Sequence, residues 1–83
     1  MSPTKQARDS KLNIGHVNVY HLYNKVHDVC RLLSGSQLHL LGLTETRLSD
    51  LHSDRQVAIP NYHFVRKDAT LSGQTGMGVY ITN

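Results

Sequence analysis

The spacing of apolar residues predicts a strand followed by a helix in the first half of the chain. Residues 12–19, LNIGHVNV, alternate and contain β-branched side chains, which favours a β-strand. Apolar residues then recur at helical spacing, at Val26, Val29, Cys30 and Leu33. Asn24 is a good N-cap residue and Gly35 a good C-terminal stop, so the pattern predicts a helix over residues 25–34.

A second strand is predicted over residues 38–43, where apolar side chains occupy both odd and even positions. This pattern is typical of a strand that is buried on both faces, as in a parallel sheet. A strand, a helix and a strand in close succession form a right-handed crossover whose two strands are parallel.

The second half of the chain predicts a long loop and a hairpin. Residues 46–60 are polar and end in Pro60, which indicates a loop with one helical turn near residues 52–57. Residues 62–66 and 77–82 predict two more strands, joined by a connection rich in Gly, Ser and Thr. The fold class is therefore α/β, a β-α-β crossover followed by a β-hairpin, with the final strand expected at an open edge.

The predicted elements leave one face of the sheet without cover. Strand 38–43 places Leu38 and Leu40 on one side and Leu41 and Leu43 on the other. A single helix covers only one side, so the other needs another subunit or further sequence, and further sequence is the simpler account. We therefore expect a molten or self-associating species that uses the uncovered sheet face.

Composition sets limits on the class of protein. The 83 residues make one domain at most, with a polar tail at residues 1–11 that we expect to be disordered and a domain at residues 12–83. The longest apolar run is far shorter than the roughly 20 residues of a membrane helix, and the N-terminus lacks the apolar core of a signal peptide. These features predict an intracellular protein with no membrane partner.

The net charge and the cysteine and histidine content indicate little about function. The net charge of +3 permits contact with a polyanion, but the basic residues are scattered, so charge alone favours an ordinary solvated surface. The single cysteine, Cys30, excludes an internal disulfide and lies on the apolar helix face, which predicts a buried, inert thiol. The six histidines show no metal-ligand spacing.

Candidate chemistry lies at the predicted carboxyl ends of the first two strands. Asn18 is near the end of the first strand and Glu45 is just past the end of the second. Parallel strands bring both side chains to the edge where open α/β folds bind ligands. A carboxylate beside an amide suits Mg²⁺, which takes few protein ligands and completes its shell with water and phosphate oxygens. On spacing alone, a solvated loop glutamate and a turn-forming asparagine remain the favoured alternative.

The chain resembles the start of the endonuclease/exonuclease/phosphatase family, especially the endonuclease domain of non-LTR (LINE-type) retrotransposons. The resemblance covers residues 12–83 and is carried by LNIGHVNVYHLYNKVHDVCRLLSGSQLHLLGLTETRL, AIPNYHFVRKD and GMGVYI. Asn18 matches the family's metal-site asparagine, and Glu45, in LLGLTET, matches its metal-binding glutamate. Tyr62 to Asp68 and Gly76 to Ile81 loosely match the patterns GY-x-x-x-R-x-D and GGGV-x-I-Y.

The resemblance implies the first portion of a four-layered sandwich, Mg²⁺ as the ion with Mn²⁺ as an alternative, and DNA as the partner of the complete domain. It also implies that Glu45 ligates the metal with Asn18 in support. Arg47 is expected at the cleft rim, where it touches a DNA phosphate weakly; a solvated loop arginine is an equal alternative. The glycines Gly73, Gly76 and Gly78 precede a strand, which predicts turns and close backbone approach instead of a phosphate loop.

The departures from the family concern its later catalytic residues. The catalytic Tyr, the Asp-x-Asn pair, further acidic residues and the closing Ser-Asp-His lie beyond the matched segment, and none follows in this sequence. The general base and the transition-state-stabilising Asn are therefore missing. We expect a truncated domain that is inactive alone. The rival interpretations are a small non-catalytic interaction module and a retroelement remnant without function.

Overall fold

The computed structural model describes residues 12–68 and 75–83 and shows a mixed α/β arrangement. Its regular elements in chain order are strand β1 (Ile14–Asn18), helix α1 (Val26–Ser36) and strands β2 (Leu40–Thr44), β3 (Tyr62–Lys67) and β4 (Met77–Thr82). Two 3₁₀ turns, Leu22–Asn24 and Asp54–Val57, lie in the connections. The predicted helical turn near residues 52–57 is thus present, while the predicted tail at residues 1–11 lies outside the described residues.

The four strands form one sheet in the order β1-β2-β4-β3. β1 and β2 are parallel and joined by α1, which confirms the predicted crossover. β4 lies between β2 and β3 and is antiparallel to both. The expectation of an open edge at the final strand is therefore wrong: β1 and β3 are the edges. Strand β4 carries apolar side chains on both of its faces, at Val79, Tyr80 and Ile81, as central strands do.

Helix α1 presents the predicted apolar face, but both predicted ends are wrong. Val29 and Leu33 are buried, and Val26 and Cys30 pack against the core while remaining partly exposed, so the thiol is half-buried and not fully buried. Asn24 belongs to the preceding 3₁₀ turn and caps nothing; Lys25 takes the N-cap position and instead donates its Nζ to the Val19 carbonyl at 3.0 Å.

The helix also continues beyond its predicted stop. Gly35 lies within α1, and Gln37 ends the helix in the left-handed conformation at φ 53°, with its N–H bonded to the Leu33 carbonyl. A non-glycine residue such as Gln adopts this conformation at a cost of about 1–2 kcal/mol. The end of the helix therefore falls two residues later than the glycine indicated.

The core lies between α1 and one face of the sheet, which we call the inner face. Leu41, Leu43 and Tyr80 contribute from the strands, and loop residues Leu22, Leu48, Val57 and Ile59 complete it. Leu38 also belongs to this core at 2% exposure, which corrects the expectation that it shares a side with Leu40. The reason is that β2 begins only at Leu40, so Leu38 is free of the strand's alternation.

Two tyrosines tie loops to the sheet. The Tyr80 hydroxyl donates to the Val57 carbonyl at 2.5 Å, and the Tyr62 hydroxyl donates to the Leu38 carbonyl at 2.7 Å. Burial raises the pKa of Tyr80 above its usual range, because a phenolate would lose its hydration in the core. Both acceptor carbonyls lie outside the strands, where the tyrosine hydroxyls provide them with a donor.

The predicted close approach at Gly78 is present. A Cβ at this position would lie 2.5 Å from the Phe64 ring, which stacks on Tyr80 with ring centroids 4.4 Å apart. Gly76 has φ 81°, a conformation that glycine adopts without strain. Gly73 and most of the predicted hairpin connection lie outside the described residues, although β3 and β4 do pair as the hairpin prediction requires.

The opposite surface of the sheet, which we call the outer face, carries no helix in the described part of the chain. Strand alternation and the register place six apolar residues there: Ile14, Leu40, Val65, Met77, Val79 and Ile81. Val65 is 60% exposed and Met77 54% exposed. The expectation that one helix covers only one face of the sheet therefore holds for the described residues. None of their helices has the length and apolar character needed to cross a membrane.

Candidate metal site at the carboxyl edge of the sheet

Asn18 and Glu45 meet at the edge where the parallel strands β1 and β2 end. Asn18 is the last residue of β1 and pairs in register with Thr44, the last residue of β2, so Glu45 follows directly beyond the sheet. The Asn18 side-chain amide donates a hydrogen bond to Glu45 Oε2. The parallel crossover thus brings together the two residues that the sequence singled out for the metal.

The backbone around Glu45 is held from both sides. The N–H groups of Glu45 and Thr46 donate to the Gly76 carbonyl at 3.1 and 3.4 Å, and the Arg47 N–H donates to the Thr75 carbonyl at 2.7 Å. On the other side, the Glu45 carbonyl accepts from His21 N–H at 2.9 Å. The segment after β2 is therefore hydrogen-bonded on one side to the residues that follow β1 and on the other side to the residues that precede β4.

Left-handed backbone conformations cluster at this edge. Tyr20, Glu45 and Arg47 have φ values of 52°, 56° and 54°. Non-glycine residues adopt this region at a cost of about 1 kcal/mol or more each, and such residues concentrate at functional sites. Between Glu45 and Arg47, Thr46 is 1% exposed, and its Oγ1 has no hydrogen-bond partner within the described structure. The conformation turns the flanking side chains outward, which is how Glu45 and Arg47 come to share one surface.

Arg47 lies beside Glu45 at the carboxyl edge of the sheet and contacts its carboxylate. Its Nη2 is 3.4 Å from Glu45 Oε1, and its guanidinium carbon lies 4.6 Å from the centre of the Tyr20 ring. The geometry is that of a cation–π contact. Sequence reasoning missed Tyr20 because its role depends on a left-handed backbone, for which no periodicity gives a signal. Together, Asn18, Tyr20, Glu45 and Arg47 form what we call the edge cluster.

The donor set of the edge cluster fits a hard cation only in part. Glu45 supplies one carboxylate and Asn18 one amide oxygen, and these are ligands of the kind Mg²⁺ takes. In the structure Asn18 turns its nitrogen toward Glu45, so a rotation of the amide is needed to present Oδ1 to an ion. Within residues 12–68 and 75–83, no three His, Cys, Asp or Glu side chains are grouped to hold a metal. Water and phosphate oxygens would have to complete the shell.

A second cluster, around Arg66, was not predicted as a unit. Arg66 forms a two-pronged ion pair with Asp68, through Nε at 3.0 Å and Nη2 at 2.6 Å. Its remaining donors reach Asp54 Oδ1 at 3.0 Å and the carbonyls of His52 and Ser49 at 2.8 and 2.9 Å. The Asp68 hydrogen bond raises the pKa of the Arg66 guanidinium.

The sequence does indicate one part of this second cluster, the pair of Arg66 and Asp68. Arg66 and Asp68 are two residues apart along a strand direction, and that spacing puts both side chains on one face. The same pair lies in the segment from Tyr62 to Asp68 that loosely resembles the family pattern. The contacts to Ser49, His52 and Asp54 depend on how the long loop folds back, which spacing does not reveal.

Comparison with known proteins gives no family for the chain. Neither protein-family models nor curated protein sequences match it.

Proposed function

We propose that this chain contributes the Asn18–Glu45 part of a Mg²⁺-dependent phosphodiester-cleaving site of the endonuclease/exonuclease/phosphatase type, in the form found in retrotransposon endonucleases. One observation carries the proposal: the two side chains are in contact at the carboxyl edge of two parallel strands. This is the edge at which open α/β sheets bind ligands. We also propose that the complete domain acts on DNA inside the cell.

In the proposed site, each residue of the edge cluster has a distinct task. Glu45 ligates the ion through its carboxylate, and Asn18 supports it with its amide oxygen once the side-chain amide rotates. Arg47, held over Tyr20, faces a phosphate of the DNA backbone. A bound Mg²⁺ supplies charge stabilisation at the scissile phosphate and the leaving oxygen. No residue of the chain is assigned as general base, because the sequence contains neither the Asp-x-Asn pair nor the closing Ser-Asp-His of that family.

The metal half of the proposal predicts weak, localised binding. One carboxylate and one amide leave most of the coordination shell to water, so we expect an Mg²⁺ or Mn²⁺ dissociation constant of about 1 mM or higher. Titration of the ¹⁵N-labelled chain with Mn²⁺, followed by paramagnetic line broadening, is expected to broaden the amides of residues 18–21 and 45–47 first. Glu45→Gln should remove this broadening, because it takes away the single carboxylate.

The matched control is Asp50→Asn, which removes an exposed loop carboxylate outside the edge cluster. Broadening at residues 45–47 should survive this change. Broadening that persists in Glu45→Gln, or that centres on Asp50 or another carboxylate, would show that the metal site is elsewhere. Micromolar affinity that survives Glu45→Ala would contradict the proposed ligand set in the same way.

The catalytic half predicts no activity of the chain alone. We expect no Mg²⁺-dependent nicking of supercoiled plasmid, because no general base is assigned to activate the attacking water. Glu45→Gln, purified in parallel, distinguishes trace contamination from genuine activity. Nicking by the unaltered chain that disappears in Glu45→Gln would show that the chain is catalytically complete.

The alternative, a non-catalytic interaction module, is favoured by a different observation: the apolar outer face. Under that interpretation, the Asn18–Glu45 contact only stabilises the end of β1. The Mn²⁺ experiment separates the two, since a purely structural contact gives no site-specific broadening that depends on Glu45.

A further inference from the structure

Tyr20 is the most exposed of the four tyrosines, although its neighbours in the chain belong to the core. Tyr20 is 56% exposed, whereas Val19 and Leu22 are buried. The Tyr20 ring is not among the side chains that pack against the core. Burial of its own apolar surface therefore does not explain the position of this ring, which lies in solvent two residues beyond the end of β1.

The backbone holds the Tyr20 ring in this outward position. Tyr20 and His21 are two consecutive left-handed residues that are not glycine, with φ values of 52° and 106°. Three backbone hydrogen bonds of 2.9–3.1 Å fix the segment, from the N–H groups of Val19, His21 and Leu22 to the carbonyls of Thr44, Glu45 and Thr46. Such conformations cost free energy and concentrate at functional sites. Because the backbone is already fixed, little conformational freedom is lost when a ligand stacks on the ring.

The exposed Tyr20 ring lies beside a cation. The Arg47 guanidinium carbon is 4.6 Å from the ring centre, and the His21 ring meets the Tyr20 ring at 87° with the centroids 5.2 Å apart. These contacts cover only part of the ring, since more than half of Tyr20 is open to solvent. An exposed aromatic ring next to a positive charge combines the two features that hold single-stranded nucleic acid, a surface on which a base stacks and a cation for the phosphate.

Arg47 connects the Tyr20 ring to the contact between Asn18 and Glu45. The same guanidinium that lies over the ring has its Nη2 3.4 Å from Glu45 Oε1. A base stacked on Tyr20 and a phosphate at Glu45 therefore belong to one nucleotide or to two neighbouring ones. Inside a duplex each base is covered by its neighbours in the stack, so a base that reaches a protein ring must be unpaired.

We propose that Tyr20 is a base-stacking residue that binds an unpaired DNA nucleotide beside the Asn18–Glu45 contact. Tyr20 contacts the base, and Arg47 contacts the phosphate. The inference rests on the proposed function, which supplies DNA as the ligand, and it narrows the substrate class to DNA that is single-stranded at the bound nucleotide. Every base has a π-face, so Tyr20 confers a preference for unpaired bases and not for a particular sequence.

The test is binding of the full chain to single-stranded DNA of about eight nucleotides, at low salt and in EDTA, followed by fluorescence anisotropy. One probe carries thymine at every position, and the other is the same sugar–phosphate chain without bases. Both probes have the same phosphate charge, so phosphate contacts contribute equally to the two affinities. The unaltered chain should bind the thymine probe at least about fivefold more tightly, the lower end of the range for one stacked base.

Three variants assign this difference between the probes to the Tyr20 ring. Tyr20→Asn removes the ring and introduces a residue type that adopts the left-handed conformation readily, so it should abolish the difference. Tyr20→Phe should retain the difference, because stacking does not need the hydroxyl. The matched control is Tyr23→Asn, which should also retain it, since Tyr23 is 49% exposed and its ring contacts His52 instead of Arg47.

The stacking role would be overturned by equal affinity of the unaltered chain for the two probes, or by no binding to either up to about 1 mM chain. It would also be overturned if Tyr20→Asn weakened both probes equally, because the ring would then serve only to hold Arg47. Loss of the difference in Tyr23→Asn as well would indicate unspecific adhesion to exposed rings. If Tyr20→Asn lowers the circular dichroism of the sheet, Tyr20→Gly replaces it, and the same criteria apply.

These measurements contain no metal ion, so they are independent of the Mn²⁺ experiment on Glu45. If the Mn²⁺ site is absent and the difference between the probes is present, the metal site alone is wrong. If the Mn²⁺ site is present and the difference is absent, the stacking role alone is wrong.

Discussion

Arg66 and Arg47 both contact a carboxylate, but the two arginines have very different surroundings. The Arg66 side chain is 15% exposed and makes five hydrogen bonds, to Asp54, Asp68 and two loop carbonyls. The Arg47 side chain is 34% exposed, and in the described structure its contacts are a 3.4 Å approach to Glu45 and the Tyr20 ring.

The difference separates a structural arginine from one that can exchange partners. A guanidinium has five N–H donors, and Arg66 uses all of them within the described structure. Moving Arg66 breaks its two-pronged ion pair with Asp68 and its three bonds to the loop, so its position is fixed. Arg47 loses little when it leaves Glu45, because an exposed ion pair contributes only about 0.2–1 kcal/mol. An arginine close to a carboxylate therefore does not by itself indicate a ligand-binding site. An arginine that has unused N–H donors beside the carboxylate does.

The largest effect we expect comes from Arg66→Ala. This change removes the link between β3 and the loop that carries Ser49 and His52, and it leaves the Asp68 carboxylate, which is 22% exposed, without its partner. Breaking one side of such a pair costs about 3 kcal/mol of unfolding free energy. For a domain of this size that loss is a large share of the total stability. Urea unfolding followed by circular dichroism measures it.

Two further variants sharpen this result. Arg66→Lys keeps the charge but not the planar fork, so it should recover only part of the lost stability. Arg47→Ala should change the unfolding free energy by less than about 0.5 kcal/mol, as surface substitutions do. Similar losses in Arg66→Ala and Arg47→Ala would mean that the two arginines do not differ in the way their contacts indicate.

The features that the sequence predicts are those that depend on residues close together along the chain. The strand at residues 77–82, the crossover and the buried side of α1 follow from local alternation and helical spacing, which depend on nearby residues only. The meeting of Asn18 and Glu45 follows as well, because parallel strands must end at a common edge. These features need no knowledge of how the long loop folds.

The features that sequence reasoning missed depend on contacts between distant segments. The central position of β4 is decided by pairing on both of its edges, and the end of α1 at Gln37 by a left-handed residue that is not glycine. Three of the five bonds of Arg66 need the loop of residues 49–54 to turn back onto β3. The Tyr20 ring lies under the Arg47 guanidinium only because both residues adopt left-handed backbone conformations, which their residue types do not favour.

The smallest effects that we expect come from Arg47→Ala, and they bear most directly on function. The change should affect metal binding and DNA binding in opposite directions. This prediction rests on the proposed metal site. Arg47 places a positive charge next to Glu45 Oε1, so it competes with a metal ion for that oxygen. Arg47→Ala should therefore tighten Mn²⁺ binding by about twofold to fivefold, the range expected from an exposed ion pair. In the same variant, DNA oligonucleotide binding should weaken, and its salt dependence should fall by about one phosphate contact.

The opposite signs are what distinguish an exchangeable arginine from a structural one. Arg31→Ala, which removes an exposed arginine from α1, controls for net charge and should leave the Mn²⁺ affinity unchanged. If Arg47 serves mainly to hold Glu45 in place, its removal will weaken metal binding and DNA binding together. That outcome would contradict the competition and would assign Arg47 the same kind of role as Arg66. Tighter Mn²⁺ binding with unchanged DNA binding would retain the competition but remove Arg47 from the phosphate contact, because its guanidinium would then have Glu45 and Tyr20 as its partners and no role toward the nucleic acid.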